Sequence, residues 1–473
     1  MNEDSPRLSW TDFVYELSAL LRKRAVNTPL YLVGGTVRDA YLRRAITDVD
    51  IAVDGDAVYL ARQVADWLDA DVFVMDVERG VARVLHRRGG ERVSIDFARL
   101  RGTTLEQDLR DRDFTMNAMA ADLLGNIDQL IDPLGGAADL QQKVLRRCSD
   151  EAIGKDPIRA LRAVRLSAQF HMKIHPDTVP DIREHAANLN RCSGERIRDE
   201  FFKLLGLDQA ARGLRVLQHL GLLQHIAPGS MDMPAGDLRR ATMDAEWTYP
   251  LATVERMAAL LKSISSRRTD NTAAAFDLGT LVIQLDRFRP ELQAHIEQKY
   301  GGARSRAELL VLAALLLGRD DVDVRALKLS GDEEYILIRA VANVRLFLSG
   351  KCWSVLDQHR FWHRLKSSGI DVILLGAAEY LAAGGNELRQ HDWLELVENA
   401  TQLLTVYFQR YDDIVDPPLL LNGHDIQERL QLRPGPLVGE LLTALREAQV
   451  AGAIRSKPDA KEFLRQQIER RSR

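Results

Sequence analysis

The chain has 473 residues but only three cysteines, Cys148, Cys192 and Cys352, and it contains no Cys-x-x-Cys pair. A disulfide framework uses an even set of cysteines, and the common zinc sites need closely spaced ligands. The cysteine pattern therefore argues against both, and it is typical of a reducing compartment. On this basis we expect a cytoplasmic protein.

Signals for membranes, export and P-loop chemistry are missing as well. No uninterrupted apolar run approaches the roughly 18 residues that a membrane-spanning helix needs. The first ten residues, MNEDSPRLSW, lack the charged-then-apolar layout of a signal peptide. No GxxxxGK[ST] motif occurs. We therefore expect no membrane partner.

An excess of positive charge is also lacking. The sequence has 64 Lys and Arg against 68 Asp and Glu, which gives a formal net charge of −4. Overall charge therefore provides no attraction for nucleic acid, although a local basic face can coexist with an acidic surface elsewhere. Any binding of RNA has to be argued from motifs.

The order of the periodic segments predicts the fold class. At this length we expect two to four domains, because one hydrophobic core does not grow so large. Short β-rich runs lie in the first third of the chain, namely PLYLVGG, DVDIAV, DVFVMD, ARVLHR and RVSIDFARL. From about Lys143 helical periodicity replaces them, and Ala227–Asp237, rich in Pro and Gly, is a predicted linker. The pattern predicts an α+β chain, with an α/β head followed by a long helical remainder.

Two acids, Asp48 and Asp50, stand one residue apart in the run TDVDIAV. On a strand, residues i and i+2 point to the same side of the sheet, so these carboxylates would lie close together and repel each other. A hard divalent ion such as Mg²⁺ relieves that repulsion, with water and substrate phosphates completing its shell. The alternative is that both acids face water at the start of an ordinary strand, and a lone Asp-x-Asp motif favours this alternative.

The residues before these acids favour a metal-bound triphosphate instead. Gly34 and Gly35 follow the strand YLV, and Thr36 is placed to cap a helix over residues 37–44. Backbone N–H groups at a helix N-terminus suit a phosphate, and glycine allows a close approach. Arg38, on the first turn, adds a charged fork.

Further polar groups follow along the chain. Asp96, flanked by apolar residues in SIDFARLR, either joins the metal cluster or faces solvent on an alternating strand. In RDRDFTMNAMAAD, helical spacing makes Asp113 and Asn117 neighbours, with Arg112 beside them. Arg can hold phosphate, and Asp and Asn can bind ribose hydroxyls. A helix start capped by Asp113 or Thr115 is the simpler interpretation, and it is compatible with such a site.

Together, these motifs resemble those of a known family. The segments LVGGTVRD, DVDIAV, RDFTMNAMA, IDPLGGAADLQQKVLR, KDPIRALRAVRLSAQF and GERIRDEFFKLL occur in the order seen in class II tRNA nucleotidyltransferases. That family comprises CCA-, CC- and A-adding enzymes and bacterial poly(A) polymerases. The resemblance runs from about Tyr31 to Leu205, and the tail beginning PPLLLNGHDIQERL looks like the C-terminal segment of many bacterial members. The region from about Met231 to Asp416 carries no motif that we can place.

The resemblance implies a template-independent enzyme that adds CMP and AMP, from CTP and ATP, to the 3′ end of tRNA by two-metal transfer. Asp48 and Asp50 would bind the two Mg²⁺ ions. Asp96 matches the position of the third carboxylate, which is usually Glu in the family. The nucleotide-binding positions that match are Gly34, Gly35, Arg38, Arg112, Asp113 and Asn117.

The family's base selector has the pattern EDxxR at a helix start, and here the sequence is KDPIR. Asp156 and Arg159 match this pattern, whereas Lys155 replaces Glu. Helical spacing would place Asp156 and Arg159 on one face, although Asp156 before Pro157 is also an ordinary N-cap. Arg162 follows on the same helix. Contacts with RNA are predicted for the arginines of this motif and the next, namely Arg159, Arg162, Arg165, Arg191, Arg196 and Arg198.

The resemblance also implies four segments: a catalytic head with a polymerase-β-like sheet (1–142), a nucleotide-selecting and RNA-binding neck (143–228), a helical body (229–415) and a tRNA-binding tail (416–473). A short connection, LRGTTLEQDLRD, replaces the longer flexible loop of CCA-adding members. Shortening of that loop is associated in the family with CC-adding enzymes. The alternatives are therefore a CC-adding enzyme, a poly(A) polymerase, an inactive RNA-binding relative, or a nucleotidyltransferase acting on a protein or small molecule. The sequence does not indicate an oligomeric state.

Overall fold

The computed structural model of the protein describes residues 8–226, 243–265, 276–300, 304–318, 324–349, 353–384 and 388–472. The predicted linker, Ala227–Asp237, lies outside these residues. Among the described residues, none of the helices is both long and apolar enough to cross a membrane.

A six-stranded mixed sheet lies near the N-terminus. Its strand order is β3-β4-β5-β2-β1-β6, and β2 and β5 form its one parallel pair. The strands are β1 Leu30–Val33, β2 Asp48–Val53, β3 Asp71–Asp76, β4 Val81–Arg88, β5 Glu91–Arg99 and β6 Ala120–Asp122. All five β-rich runs of the sequence fall on strands of this sheet.

Short helices surround and follow the sheet as far as residue 226. A small parallel pair, β7 Val144–Leu145 and β8 Lys173–Ile174, and a 3-10 turn at Thr115–Asn117 lie among them. The helices are α1 Asp12–Lys23, α2 Gly35–Tyr41, α3 Ala57–Leu68, α4 Leu105–Arg110, α5 Gly136–Gln142, α6 Ala152–Lys155, α7 Ile158–Phe170, α8 Thr178–Glu184, α9 Gly194–Leu205, α10 Ala210–His219 and α11 Leu223–Ile226.

After residue 242 the described chain is almost entirely helical, with one short antiparallel pair, β9 Lys299–Tyr300 and β10 Arg304–Ser305. The helices are α12 Met243–Ile264, α13 Phe276–Leu285, α14 Arg289–Glu297, α15 Arg306–Leu316, α16 Gly331–Phe347, α17 Val355–Leu365, α18 Ser368–Gly384, α19 Gln390–Gln409, α20 Gly423–Leu430, α21 Pro436–Val450 and α22 Lys457–Ser472. The predicted α+β chain, with a sheet-containing head followed by helical regions, is confirmed.

The two faces of the large sheet differ in character, because side chains alternate along each strand. On one face the central strands bury Val49, Ile95 and Phe97, and helix α3 packs over β3, β4 and β5. Asp56 caps α3 by accepting a hydrogen bond from the Tyr59 amide at 2.9 Å. The other face, called the open face below, carries the acidic residues of β2 and β5.

The described chain divides into two compact units. One comprises the residues up to Leu204 together with Val216–Ile226, and the other comprises Leu205–Arg215 together with the described residues after 242. The finer division into head, neck, body and tail stays a prediction. Every predicted site residue lies in the first unit.

Candidate active site

The three predicted metal ligands lie on adjacent strands of the open face. Asp48 and Asp50 begin β2, and the parallel register places Asp50 opposite Asp96 of β5 and Asp48 opposite Ser94. Because paired residues of neighbouring strands share a face, the carboxylates project from the same side of the sheet. The structure therefore brings Asp48, Asp50 and Asp96 into one patch.

Asp50 carries the clearest sign of an unusual environment. Burial of its carboxyl raises the pKa to about 6, and the negative charges of Asp96 and Asp48 act in the same direction. The guanidinium groups of Arg112 and Arg38 oppose this rise. A cation bound at this carboxylate would offset both its burial and the negative charge of its neighbours.

Asp48 is exposed, and two hydroxyl groups orient its carboxylate. Ser94 Oγ donates a short hydrogen bond to Oδ1, and Thr47 Oγ1 donates to Oδ2 at 3.3 Å. Both donors are neutral, so they fix the direction of the carboxylate without cancelling its charge.

Asp96 differs from the other two acids because it has a cationic partner. Arg83 of β4 donates from Nε to Oδ1 at 2.7 Å and from Nη2 to Oδ2 at 2.6 Å. Such a bidentate pair is strong and directional. In the described part of the chain, no group of three or more His, Cys, Asp or Glu residues is arranged to hold a metal ion. Unlike Asp96, Asp48 and Asp50 have no bidentate arginine partner among the described residues.

The Gly34-Gly35 turn lies directly against these acids. Gly34 has a φ of +69°, and a Cβ atom there would lie 3.1 Å from Asp50 Oδ2 and 3.2 Å from Arg112 Nη1. Only glycine combines this backbone conformation with such a close approach. The turn therefore has its carboxylate and guanidinium neighbours at near-contact distance.

Thr36 does not cap the helix, contrary to the expectation from the sequence. Helix α2 starts at Gly35 and ends at Tyr41, so it is shorter than residues 37–44 and begins earlier. The Thr36 hydroxyl instead accepts a hydrogen bond from the Asp50 amide at 2.7 Å and donates to the Asp48 carbonyl at 3.1 Å. The side chain thus ties the glycine turn to the acid-bearing strand.

Arg38 reaches the segment that was predicted to contact ribose. Its Nη1 donates to Asn117 Oδ1 at 2.8 Å, its other nitrogens pair with Asp39, and its guanidinium lies over the ring of Phe170 at 4.6 Å. Asn117 in turn donates from Nδ2 to Asp113 Oδ1 at 3.1 Å. The residues are neighbours as predicted, but through a 3-10 turn, Thr115–Asn117, and not through an α-helix.

Asp113 is buried and paired with Arg162 of helix α7. Burial alone would raise the pKa of its carboxyl, but Arg162 and the hydrogen bond from Asn117 hold the pKa below its ordinary value. Arg162 Nη1 donates to Asp113 Oδ2 at 3.1 Å. A chain of polar contacts therefore runs from Arg38 through Asn117 and Asp113 to Arg162.

The predicted base selectors have separate partners. Asp156 follows α6 and accepts from Arg196 Nη2 at 2.7 Å, and it makes no side-chain cap on α7. The buried Arg159 donates to the main-chain carbonyls of Asp111, Arg112 and Ala152 at 2.9–3.2 Å. The two side chains are thus not brought together by a hydrogen bond, and Arg159 secures the loop before the 3-10 turn.

The remaining cations near the selector also have protein partners. Lys155, which replaces the family Glu, pairs with Asp111 at 3.3 Å and with Glu151 at 3.1 Å. Arg165 pairs with Glu200 at 2.6 Å. Several of the arginines predicted to contact RNA are therefore engaged within the protein.

The sequence motifs did not indicate Arg83, although it lies in the site and binds Asp96. The sequence does contain a signal for it, because Gly89-Gly90 forms the two-residue turn of a β-hairpin between β4 and β5. Counting back equally from such a turn pairs Arg83 with Asp96, and the structure has this register. Phe170, the ring under Arg38, had no comparable signal, because its contact depends on tertiary packing.

Comparisons with known proteins identify relatives of this chain. Residues 30–146 match the family described as the poly A polymerase head domain, and residues 171–233 match the family described as a probable RNA- and SrmB-binding site of polymerase A. The chain is 34% identical to a CC-adding tRNA nucleotidyltransferase of Geobacter sulfurreducens, over 92% of this chain and 91% of that one.

A second relative and a solved structure also match nearly the whole chain. An A-adding tRNA nucleotidyltransferase of Deinococcus radiodurans is 31% identical, over 93% of this chain and 95% of the relative. The structure of a CCA-adding enzyme in complex with ATP matches with a TM-score of 0.64 and 21% identity, covering 97% of this chain and 96% of that one. At that identity the structural likeness concerns the fold.

Proposed function

This chain belongs to the family of tRNA nucleotidyltransferases, and we propose that it extends the 3′ end of tRNA with CMP, and with AMP if it completes CCA, from CTP and ATP. The observation that carries the proposal is the pair of acids on the open face, Asp48 and Asp50, with the Gly34 turn against them. Two aligned carboxylates, a glycine turn and Arg112 are the groups that a metal-bound triphosphate requires.

We propose, more narrowly, that addition stops after two C residues. The short connection after β5 folds as helix α4, in which the Thr104 side chain accepts from the Gln107 amide. Asp108 ties this helix down, because it accepts from the Arg101 amide at 3.0 Å and from two Arg112 nitrogens. An ordered short helix in place of a long flexible loop supports CC addition, as does the activity named for the Geobacter relative. The name of the Deinococcus relative makes addition of a terminal A the second candidate.

The family generally uses divalent metal ions, and we propose Mg²⁺ for this chain. Asp48 and Asp50 fit such an ion, since both are oxygen donors on one face, and burial together with the charges of Asp96 and Asp48 raises the pKa of Asp50. Asp96 remains a predicted third ligand, and it would have to exchange Arg83 for the metal. When bound, the metal ions activate the RNA 3′-hydroxyl and stabilise negative charge on the α-phosphate and the pyrophosphate.

The other predicted residues act on the nucleotide and on the loop that holds it. Arg112 lies beside the Gly34 turn and Arg38 follows it, so both are proposed to bind phosphate. Asp113 and Asn117 are proposed to bind the ribose. Base selection is proposed for the neck segment that holds Asp156, Arg159 and Arg162, where Arg159 also fixes the backbone of residues 111–112.

The remaining assignments are also proposals. A role in nucleotide selection for residues 143–228 and in tRNA binding for residues 416–473 is supported by the motifs they carry. A cytoplasmic location is supported by tRNA as the substrate class.

One assay tests the proposed function. Purified protein, Mg²⁺ and labelled CTP or ATP are mixed with tRNA transcripts that end before CCA, after C and after CC, and with an unrelated RNA. We expect C incorporation into the first two transcripts and none into the third. Addition of A to the transcript that ends in CC would contradict the narrower proposal, and long A tracts on the unrelated RNA would indicate a poly(A) polymerase.

A matched pair of variants tests the assignment of the acids. Asp48→Ala is expected to abolish incorporation while tRNA binding persists. Asp54→Ala, which changes an exposed acid just beyond the same strand, is the control and should retain activity. If the wild type incorporates neither nucleotide into any RNA at several Mg²⁺ concentrations, the proposed function is wrong.

A further inference from the structure

The open face of the sheet continues beyond the acids to an exposed aromatic residue on the edge strand. Strand β3 lies at one end of the sheet, and its Phe73 is paired with Arg83, which is paired with Asp96, which is paired with Asp50. Paired residues share a face. A straight row of side chains therefore leads from the proposed metal site to Phe73.

Phe73 lies on the face of the sheet that carries the acids, and 53% of its surface is exposed. The next residue but one, Met75, is 59% exposed. On the opposite face the inner strands bury Val84 and Ile95 completely, whereas Val74 of the edge strand is itself 38% exposed. An exposed large apolar group on the side of the sheet that carries the acids needs an explanation other than core packing.

The spacing of the row suits the single-stranded end of an RNA. Three strand separations of about 4.8 Å place Phe73 roughly 14 Å from Asp50, measured between backbones. Stacked nucleotides follow one another at about 3.4 Å, so an RNA whose 3′-hydroxyl lies at Asp50 has a base only a few nucleotides upstream near Phe73. Aromatic rings bind unpaired bases by stacking. Arg83, with 39% of its side chain exposed between the two, is placed to face the backbone phosphates.

We propose that Phe73, with Arg83 paired to it on the next strand, forms a stacking subsite for an unpaired nucleotide near the 3′ end of the RNA substrate. This inference rests on the proposed function, because it takes the 3′-hydroxyl to lie at Asp48 and Asp50. It adds a binding site on the edge strand, outside every motif that carries the family resemblance.

The test compares Phe73→Ala with Phe73→Tyr and with a matched control. Tyr59→Ala removes an aromatic that is 61% exposed on α3, the helix that packs against the opposite face. Phe73→Ala is expected to raise the KM for a tRNA that lacks CCA on the order of tenfold, the effect of losing one stacked base. The KM for CTP and the kcat at saturating RNA should stay unchanged. Phe73→Tyr should restore the KM for RNA, and Tyr59→Ala should leave it as in the wild type.

A second measurement does not depend on catalysis. A tRNA with 2-aminopurine near its 3′ end should lose fluorescence on binding to the wild type and to Phe73→Tyr, but much less on binding to Phe73→Ala. If the wild type incorporates nucleotides but Phe73→Ala has the wild-type KM and quenching, the subsite is wrong while the proposed function stands. If the wild type incorporates nothing, the proposed function fails, and the subsite fails with it because it takes the 3′-hydroxyl to lie at Asp48 and Asp50. A change in self-association of Phe73→Ala, with RNA kinetics unaltered, would mean that this edge contacts a second copy, and it would overturn the proposal.

Discussion

Two carboxylates, the partly buried Asp50 in the first unit and the fully buried Asp371 in the second, have opposite electrostatic environments. Burial raises the pKa of Asp50 to about 6, and two further acids add to the effect. Burial would also raise the pKa of Asp371, but His295 and Arg306 hold it below the ordinary value. Arg306 Nη2 lies 2.6 Å from Asp371 Oδ2, and His295 Nε2 lies 2.8 Å from Oδ1.

The difference distinguishes a binding site from a scaffold. Asp371 is completely buried on α18, and its partners come from α14 and α15, so the ionic cluster joins three helices. A fully paired cluster of this kind contributes to a unique packing arrangement but has no charge left to bind a ligand. When no ligand is bound, the negative charge at Asp50 destabilises the folded state. The same charge favours the binding of a cation. Variants of these carboxylates test the contrast, because each should change the free energy of unfolding in a different direction or by a different amount.

The largest effect is expected at the paired carboxylate. Asp371→Asn leaves the buried Arg306 without its anion, and breaking a buried ion pair from one side costs about 3–5 kcal/mol. Urea unfolding, followed through the fluorescence of the buried Trp362 and Trp393, measures the loss. Asp413→Asn, at an exposed acid in a loose pair with Arg410, is the control and should change little. If both variants lost the same free energy of unfolding, burial would not make the Asp371 ion pair more important than an exposed one.

The opposite sign is expected at the unpaired carboxylate. In the absence of metal, Asp50→Asn should stabilise the protein at pH 7 by about 1–3 kcal/mol, because it removes a charge whose pKa is raised in the folded state. The same change should abolish nucleotide transfer. Denaturant unfolding in EDTA measures the gain, and a loss of stability would show that the Asp50 charge is compensated after all.

The pH dependence sharpens the comparison further. A raised pKa means that the folded protein binds the Asp50 proton more tightly than the unfolded chain, so this residue stabilises the fold at low pH. That stabilisation is lost as the pH rises from about 4 through about 6. The stability difference between metal-free wild type and Asp50→Asn should therefore be small at pH 4.5 and grow up to pH 7. Binding of Mn²⁺, followed by electron paramagnetic resonance, should weaken as the pH falls below about 6.

The smallest effect is expected at an exposed ion pair. Arg360 binds Glu447 through two nitrogens at 2.7 and 2.6 Å, yet 55% of the Arg360 side chain is exposed. Arg360→Met should therefore cost less than about 1 kcal/mol, since solvent screens such pairs. The measurement is the same urea titration. A loss as large as that of Asp371→Asn would mean that good geometry outweighs burial.

Local pattern was enough to predict much of the first unit. The period of two placed Asp48 and Asp50 on one face of a strand, and all five β-rich runs became strands of the sheet. Strand period is a property of the backbone alone, so it survives whatever packs around it. The helix cap predicted for Thr36 and the α-helical spacing predicted for Asn117 were wrong, because both depend on tertiary contacts. A threonine hydroxyl and a short polar turn form whichever hydrogen bonds tertiary neighbours offer.

The sequence by itself determined that Asp48 and Asp50 share one face of a strand and, once the Gly89-Gly90 turn is used to count the register, that Arg83 pairs with Asp96. The pairing of β2 with β5, which brings Asp96 beside Asp50, is tertiary. Only the tertiary structure decided what each acid experiences. Asp96 is neutralised by Arg83, Asp113 by Arg162 and Asp371 by His295 and Arg306, whereas the partly buried Asp50 has two acids beside it that Arg112 and Arg38 do not fully offset. The physical reason is that residue type and spacing define which charges are present. Their pKa values depend on burial and on distances to partners far away in the chain.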